Sequence, residues 1–83
     1  MFFVYVIKSL KNNRFYVGHT NDVARRLLEH NSGLSKYTSI SKPFELIFSE
    51  VFTTRLEAVQ RELFLKSGKG REWLKNLLNR AVA

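Results

Sequence analysis

Residues 2–9 (FFVYVIKS) are almost continuously apolar and rich in Phe, Val, Tyr and Ile, which predicts a β-strand. Residues 14–18 (RFYVG) predict a second strand. Between them lies Leu10-Lys11-Asn12-Asn13, whose asparagines tolerate the positive-φ positions of a turn. A four-residue loop sets Ser9 opposite Arg14. Odd positions of the first strand then share a face with even positions of the second. Tyr5 and Ile7 fall together with Tyr16 and Gly18, and Tyr5 becomes the diagonal neighbour of Tyr16, within aromatic reach. A two-residue Asn-Asn turn keeps that parity. A three-residue loop would put the tyrosines on opposite faces.

The period then changes. Asn21 or Asp22 caps a helix running to about Asn31, with Val23, Leu27, Leu28 and Ala24 as its apolar stripe and Gly33 as its end. Residues 32–43 (SGLSKYTSISKP) are polar and read as a surface loop stopped by Pro43, with Tyr37 among its candidate phosphate contacts. Residues 44–52 (FELIFSEVF) alternate as a third strand. Thr54-Arg55-Leu56-Glu57 has the form of a capping box and opens a helix to about Ser67. Leu56, Val59, Leu63 and Phe64 are its expected buried stripe, with Glu62 on the border. Gly68 and Gly70 break it, and residues 71–80 form a last helix with Trp73, Leu74, Leu77 and Leu78 inward. The expected fold is α/β (α+β): a small three-stranded sheet flanked by helices, in the order β-β-α-β-α-α, forming one domain over residues 1–83.

Composition narrows the function. The chain has 83 residues and no cysteine, so disulfides and thiolate metal sites are excluded. No apolar run approaches the ~18 residues of a membrane-spanning helix. The N-terminus lacks a basic start and a small-residue cleavage site, so it reads as a strand, and a cytoplasmic location is expected. Fourteen basic residues stand against seven acidic ones, a net charge of +7 that favours polyanions. Lys66, Lys69, Arg71, Lys75 and Arg80 crowd the last quarter beside the single acid Glu72. Each alone reads as a solvated surface residue; the cluster reads as a nucleic-acid contact.

The paired tyrosine triplets Phe3-Val4-Tyr5 and Tyr16-Val17-Gly18, followed by Gly18-His19-Thr20-Asn21-Asp22-Val23-Ala24-Arg25-Arg26-Leu27-Leu28-Glu29-His30-Asn31, resemble the GIY-YIG nuclease superfamily, in particular its small stand-alone bacterial members. The match runs from residue 2 to about residue 75. Phe3 replaces the glycine that opens the family's first triplet, a backbone position rather than a chemical group. Glu62 matches the acidic residue on a later helix. Asn76 and Asn79 lie near the place of a late asparagine.

The resemblance implies roles. Tyr16 would be the general base; phenols titrate near ~10, so it needs help from a cation or metal-bound water. Tyr5 would orient water or hold Tyr16. Arg26, whose planar fork suits phosphate, would stabilise the developing charge. His30, four residues on, shares its face and would relay a proton or bind phosphate. Glu62 would ligate Mg²⁺ (or Mn²⁺) together with water and substrate phosphates. Gly18 and His19 would support the site, while Arg25, Lys66, Lys69 and Arg71 would contact nucleic acid.

The expected activity is divalent-metal-dependent hydrolysis of phosphodiester bonds in DNA, in repair or recombination. Specificity would come from a homodimer or a protein partner. A non-catalytic nucleic-acid-binding module stays open beside it, since a sheet with aromatics and a basic tail serves binding equally well. So does a structural domain whose charge is incidental.

Overall fold

The computed structural model describes residues 1–34 and 39–82, with side chains as far as Arg80. Tyr37 and its immediate neighbours lie outside the described residues. Strand β1 (Phe2–Ser9) pairs antiparallel with β2 (Phe15–Thr20) on one side and β3 (Phe44–Phe52) on the other, giving the sheet order β2-β1-β3. The hairpin has the four-residue loop. The Ser9 N–H donates to the Arg14 carbonyl at 2.9 Å, and Asn13 takes the positive-φ position at 62°. Ile7 therefore faces Tyr16 and Tyr5 faces Gly18, so both tyrosines lie on one face. β2 runs two residues further than its composition indicates, because His19 and Thr20 continue the ladder against Val4 and Phe3.

Helices cover both faces. Helix α1 (Val23–Asn31) packs Val23 and Leu27 against Tyr5, Ile7, Phe44 and Tyr16. Helices α2 (Arg55–Lys66) and α3 (Gly68–Val82) cover the opposite face, where Val4, Val6, Ala58, Leu65 and Leu74 form the other core cluster. Capping sets the helix starts. The Asp22 carboxylate accepts from the Arg25 N–H at 3.0 Å, and Thr54 and Glu57 complete the capping box.

A bulge in β3 divides its large side chains between the two layers. The register shifts between Val6 and Ile7: Val6 faces Phe48, whereas Ile7 faces Leu46. The extra residue reverses parity along β3. Phe48 and Phe52 join the α2–α3 core, and Phe44 crosses to the tyrosine side. The Asn31 side-chain amide locks that end, its oxygen accepting from the Phe44 N–H at 2.6 Å and its nitrogen donating to the Phe44 carbonyl at 3.2 Å.

Three expectations about the helices are corrected. The buried face of α2 is Ala58–Glu62–Leu65, not Leu56–Val59–Leu63–Phe64. Leu65 is fully buried, whereas Leu56 and Leu63 are 66% and 63% exposed. Only Val59 of the expected stripe is partly buried with that face, and Phe64 is turned outward under Arg61. On α1, Ala24 and Leu28 face outward, leaving Val23 and Leu27 as the stripe. Gly68 and Gly70 do not break the helical run; they form the first turn of α3. The break is Ser67, whose extended backbone (ψ 166°) ends α2 and whose hydroxyl accepts from the Gly70 N–H at 3.2 Å. Gly70 is instead a close-approach residue. A Cβ there would lie 2.7 Å from the Leu65 Cα and run into the Phe64 carbonyl.

On α3, Leu74 is buried and Leu78 packs on the core. Trp73 meets Phe48 edge-on at 5.8 Å and the Arg61 guanidinium at 4.7 Å, keeping 38% of its surface exposed.

Candidate active site

β2 is an edge strand, and a cleft of about 1100 Å³ lies along it. Its walls come from both layers, because alternate residues of β2 point to opposite faces. Tyr16 and Gly18 lie on the face covered by α1, and Val17 and His19 on the face covered by α2. One edge strand thus brings side chains of helices on opposite sheet faces into a single opening. Tyr5, Tyr16, Gly18, His19, Arg26, His30 and Glu62 all line it.

Gly18 is the pivot. The Tyr5 ring crosses its backbone so closely that a Cβ would sit 2.6 Å from the Tyr5 Cζ. Only glycine admits the ring there. Tyr5 is 5% exposed, and its hydroxyl meets His30 Nε2 at 3.0 Å. Burial raises the Tyr5 pKa; a hydrogen bond from the Arg26 guanidinium pulls in the other direction without reversing it. His30 is held below the ordinary histidine value, first by burial and then by the Arg26 charge. The pair is therefore a phenol and a neutral imidazole. Arg26 can only donate, so it uses a phenol lone pair, and the imidazole tautomer sets which of the Tyr5 hydroxyl and Nε2 donates to the other.

Tyr16 sits beside this pair but is separately held. Its ring meets Phe44 edge-on at 5.4 Å, and its hydroxyl pairs with the Ser41 hydroxyl at 3.0 Å. Phe44 also packs edge-on against His30 at 5.9 Å, so the β3 bulge supplies the floor beneath both groups. Arg26 pairs with Glu29 at 3.1 Å in a half-exposed contact. Burial lowers the Arg26 pKa, but bonds to Tyr5 and Glu29 outweigh it and raise the net value, so the guanidinium stays charged.

From the other layer, Glu62 reaches the cleft because it lies on the buried Ala58–Leu65 face of α2. One carboxylate oxygen meets His19 Nδ1 at 2.6 Å, and the other accepts from Lys66 Nζ at 2.6 Å. Burial opposes ionisation of Glu62, yet Lys66 and then His19 outweigh it and hold the carboxyl below its ordinary value. A charged carboxylate facing a cleft is a hard oxygen donor. Among the described residues there is no cluster of three or more His, Asp or Glu able to cage a metal ion. Glu62, with water and substrate phosphate, is the residue that would hold a cation of the Mg²⁺ type; Lys66 and His19 would give up carboxylate oxygens to it.

Of the expected nucleic-acid contacts, Lys66 and Arg71 line the cleft, Lys69 does not, and Arg25 borders an adjoining hollow. Arg14 and Lys75 line the cleft as well, and Asn79 does so where Asn76 does not. No sequence motif marks Arg14; its position before β2 in a basic chain is the signal that points to it. Among the described residues lining the cleft, Glu62 is the one carboxylate against five lysines and arginines. Such an opening concentrates anions.

Two tyrosines over a strand glycine, an arginine and histidine on the next helix, and a carboxylate on a later one form the arrangement that the paired triplets implied. The model of the GIY-YIG catalytic domain matches residues 1–76. This chain belongs to the GIY-YIG family. It is 48% identical over 65 residues to the UPF0213 protein YazA of Bacillus subtilis, covering 77% of this chain and 65% of that protein, just under two thirds of its length. It is 39% identical over 74 residues to the UPF0213 protein SERP0126 of Staphylococcus epidermidis, covering 88% and 89%. The solution NMR structure of the UPF0213 protein BH0048 from Bacillus halodurans is similar with a TM-score of 0.55 at 36% identity, over 93% of this chain and 85% of that one. As a GIY-YIG domain the chain carries a nuclease-type catalytic fold. No helix among its described residues is long and apolar enough to cross a membrane.

Proposed function

We propose that this GIY-YIG domain is a divalent-metal-dependent endonuclease that hydrolyses phosphodiester bonds in DNA. The observation that carries the reading is the meeting of Glu62 and Arg26, from helices on opposite sheet faces, in one basic cleft lined by both tyrosines. Glu62 would hold Mg²⁺ or Mn²⁺, which supplies Lewis-acid polarisation of a phosphoryl oxygen and neutralises charge. Arg26 binds the remaining phosphoryl oxygens. Its half-exposed pairing with Glu29 is worth on the order of 1 kcal/mol, so exchange for a phosphate is cheap. Tyr16 in its phenolate form would take a proton from water at its phenolic oxygen as the water oxygen attacks phosphorus in line. The 3′ oxygen leaves with the electron pair of the broken P–O bond.

Tyr5 is too buried and too firmly protonated to serve as that base. It holds His30 and Arg26 in place, so it is a positioning residue. The setting of this activity is a cytoplasmic one in DNA repair or recombination, with a second copy or a protein partner supplying target specificity.

Labelled DNA and RNA structures incubated with Mg²⁺, Mn²⁺ or EDTA test the reading. Metal-dependent cutting of DNA is expected, lost in Glu62→Ala and Arg26→Ala while both variants remain folded by circular dichroism. Wild-type cutting by both variants would overturn the site. Salt-sensitive binding without any cutting would identify a binding module instead.

A further inference from the structure

Beside the cleft lies a smaller hollow of about 420 Å³, which shares His19 and Arg26 with it. Arg25 and Arg55 line the hollow together with Asn21 and Phe2. These two arginines come from different elements. Arg25 is in the first turn of α1, and Arg55 opens α2 on the opposite layer. Neither guanidinium makes an ion pair with a carboxylate among the described residues. Arg25 donates to the neutral Asn21 Oδ1 at 2.8 Å, and Arg55 lies over the Phe2 ring at 5.2 Å. The hollow's one acid, Glu29, is already paired with Arg26.

Two guanidiniums without a carboxylate partner among the described residues that line one hollow from separate elements make it a basic site that favours an anion. Their planar forks suit a phosphate better than a point charge does. Stacking on Phe2 and bonding to Asn21 hold both side chains ready, which reduces the rotamer entropy lost on binding.

We infer that Arg25 and Arg55 form a second phosphate subsite, which seats a backbone phosphate of the nucleic acid next to the one engaged at Arg26. The strand then runs from Arg71 and Lys75 along β2, past Arg26, into the hollow. This subsite rests on the nuclease reading for its ligand. It adds that Arg55, outside the paired triplets and the Arg26–His30 run, fixes the direction in which the strand leaves the cleft.

The test is binding of a short fluorescent DNA duplex in EDTA across a salt series, so that cleavage plays no part. The variants are Arg55→Gln, Arg55→Lys and Arg25→Gln. Lys11→Gln is the control, removing equal charge in the β1–β2 turn beyond the far end of the β1–β2 ladder. Arg55→Gln and Arg25→Gln are expected to weaken binding about tenfold at low salt and to reduce the slope of log K against log salt by about 1 each. Arg55→Lys should restore the slope but not the full affinity, and Lys11→Gln should change neither by as much. Arg55→Gln and Arg25→Gln indistinguishable from Lys11→Gln, with wild-type binding intact, would overturn the subsite and leave the nuclease reading standing. No binding of any nucleic acid by the wild type would overturn both. An NMR titration separates a small-anion site from a backbone one. If inorganic phosphate shifts the Arg25 and Arg55 side-chain signals and the duplex does not, the site takes free anions and the inference fails.

Discussion

Gly18 and Tyr5 show how a residue without a side chain can carry a site. Tyr5 has the burial of a core residue and the hydrogen bonding of a functional one, and both depend on the close approach of its ring to Gly18. Adding a methyl at Gly18 forces that ring away from His30 or displaces β2. Gly18→Ala is expected to cost about 1–3 kcal/mol by overpacking. In a Tyr5→Ala background the same change should cost far less, because its clash partner is gone. A double-mutant cycle by urea denaturation measures that coupling, and additive effects would show that Gly18 matters for another reason. Phe3 in place of the family's first glycine fits the same logic. Phe3 pairs with Thr20 at the far end of the hairpin, away from the ring that demands space.

Among the elements, α2 does the most to assemble the site, and it does so through a face that hydrophobicity alone misplaces. Leu56, Leu63 and Phe64 look like a core stripe, yet the helix turns Ala58, Glu62 and Leu65 inward. Small Ala58 lets the helix approach the sheet closely. Leu65 fills the core, and Glu62 between them is carried to the cleft mouth. Leu65→Ala should therefore destabilise by about 2–5 kcal/mol, whereas Leu63→Ala should stay within about 0.5 kcal/mol. Chemical denaturation of the two variants side by side decides which face is buried, and equal costs would contradict it. The β3 bulge acts comparably, moving Phe44 beneath Tyr16 and His30. Ser67 rather than the glycines separates α2 from α3, because its hydroxyl caps α3 while its extended backbone stops α2.

At the scale of the whole molecule, a basic chain opens its cleft along a sheet edge and places a neutral histidine behind it. His30 has a folded-state pKa below the ordinary value of 6.5, so the unfolded chain binds the proton more tightly. Its contribution to stability is fully present above 6.5 and is lost as the pH falls through the window between 6.5 and the lower folded value. The melting temperature should thus be lower at about pH 5.5 than at about pH 7.5. His30→Gln should flatten that difference, since Gln cannot titrate. An unchanged pH dependence in His30→Gln would assign the effect to another group.

Much of this was legible along the chain. Strand and helix order, the Thr54 capping box and the spacing of Arg26 and His30 follow from local rules, which also favour an even hairpin loop and narrow the first N-cap to Asn21 or Asp22. Turn chemistry, alternation and helical period act within a few residues, so the sequence by itself determines them. Contacts between elements determined the rest. Which face α2 buries depends on how closely Ala58 and Gly70 let backbones approach. The parity of Phe44 depends on one extra residue in β3. Arg55 and Arg25 line one hollow only because their helices, on opposite layers, both border the end of one edge strand. Close packing between elements distant in sequence selects these arrangements, and it is absent from any local window of the chain.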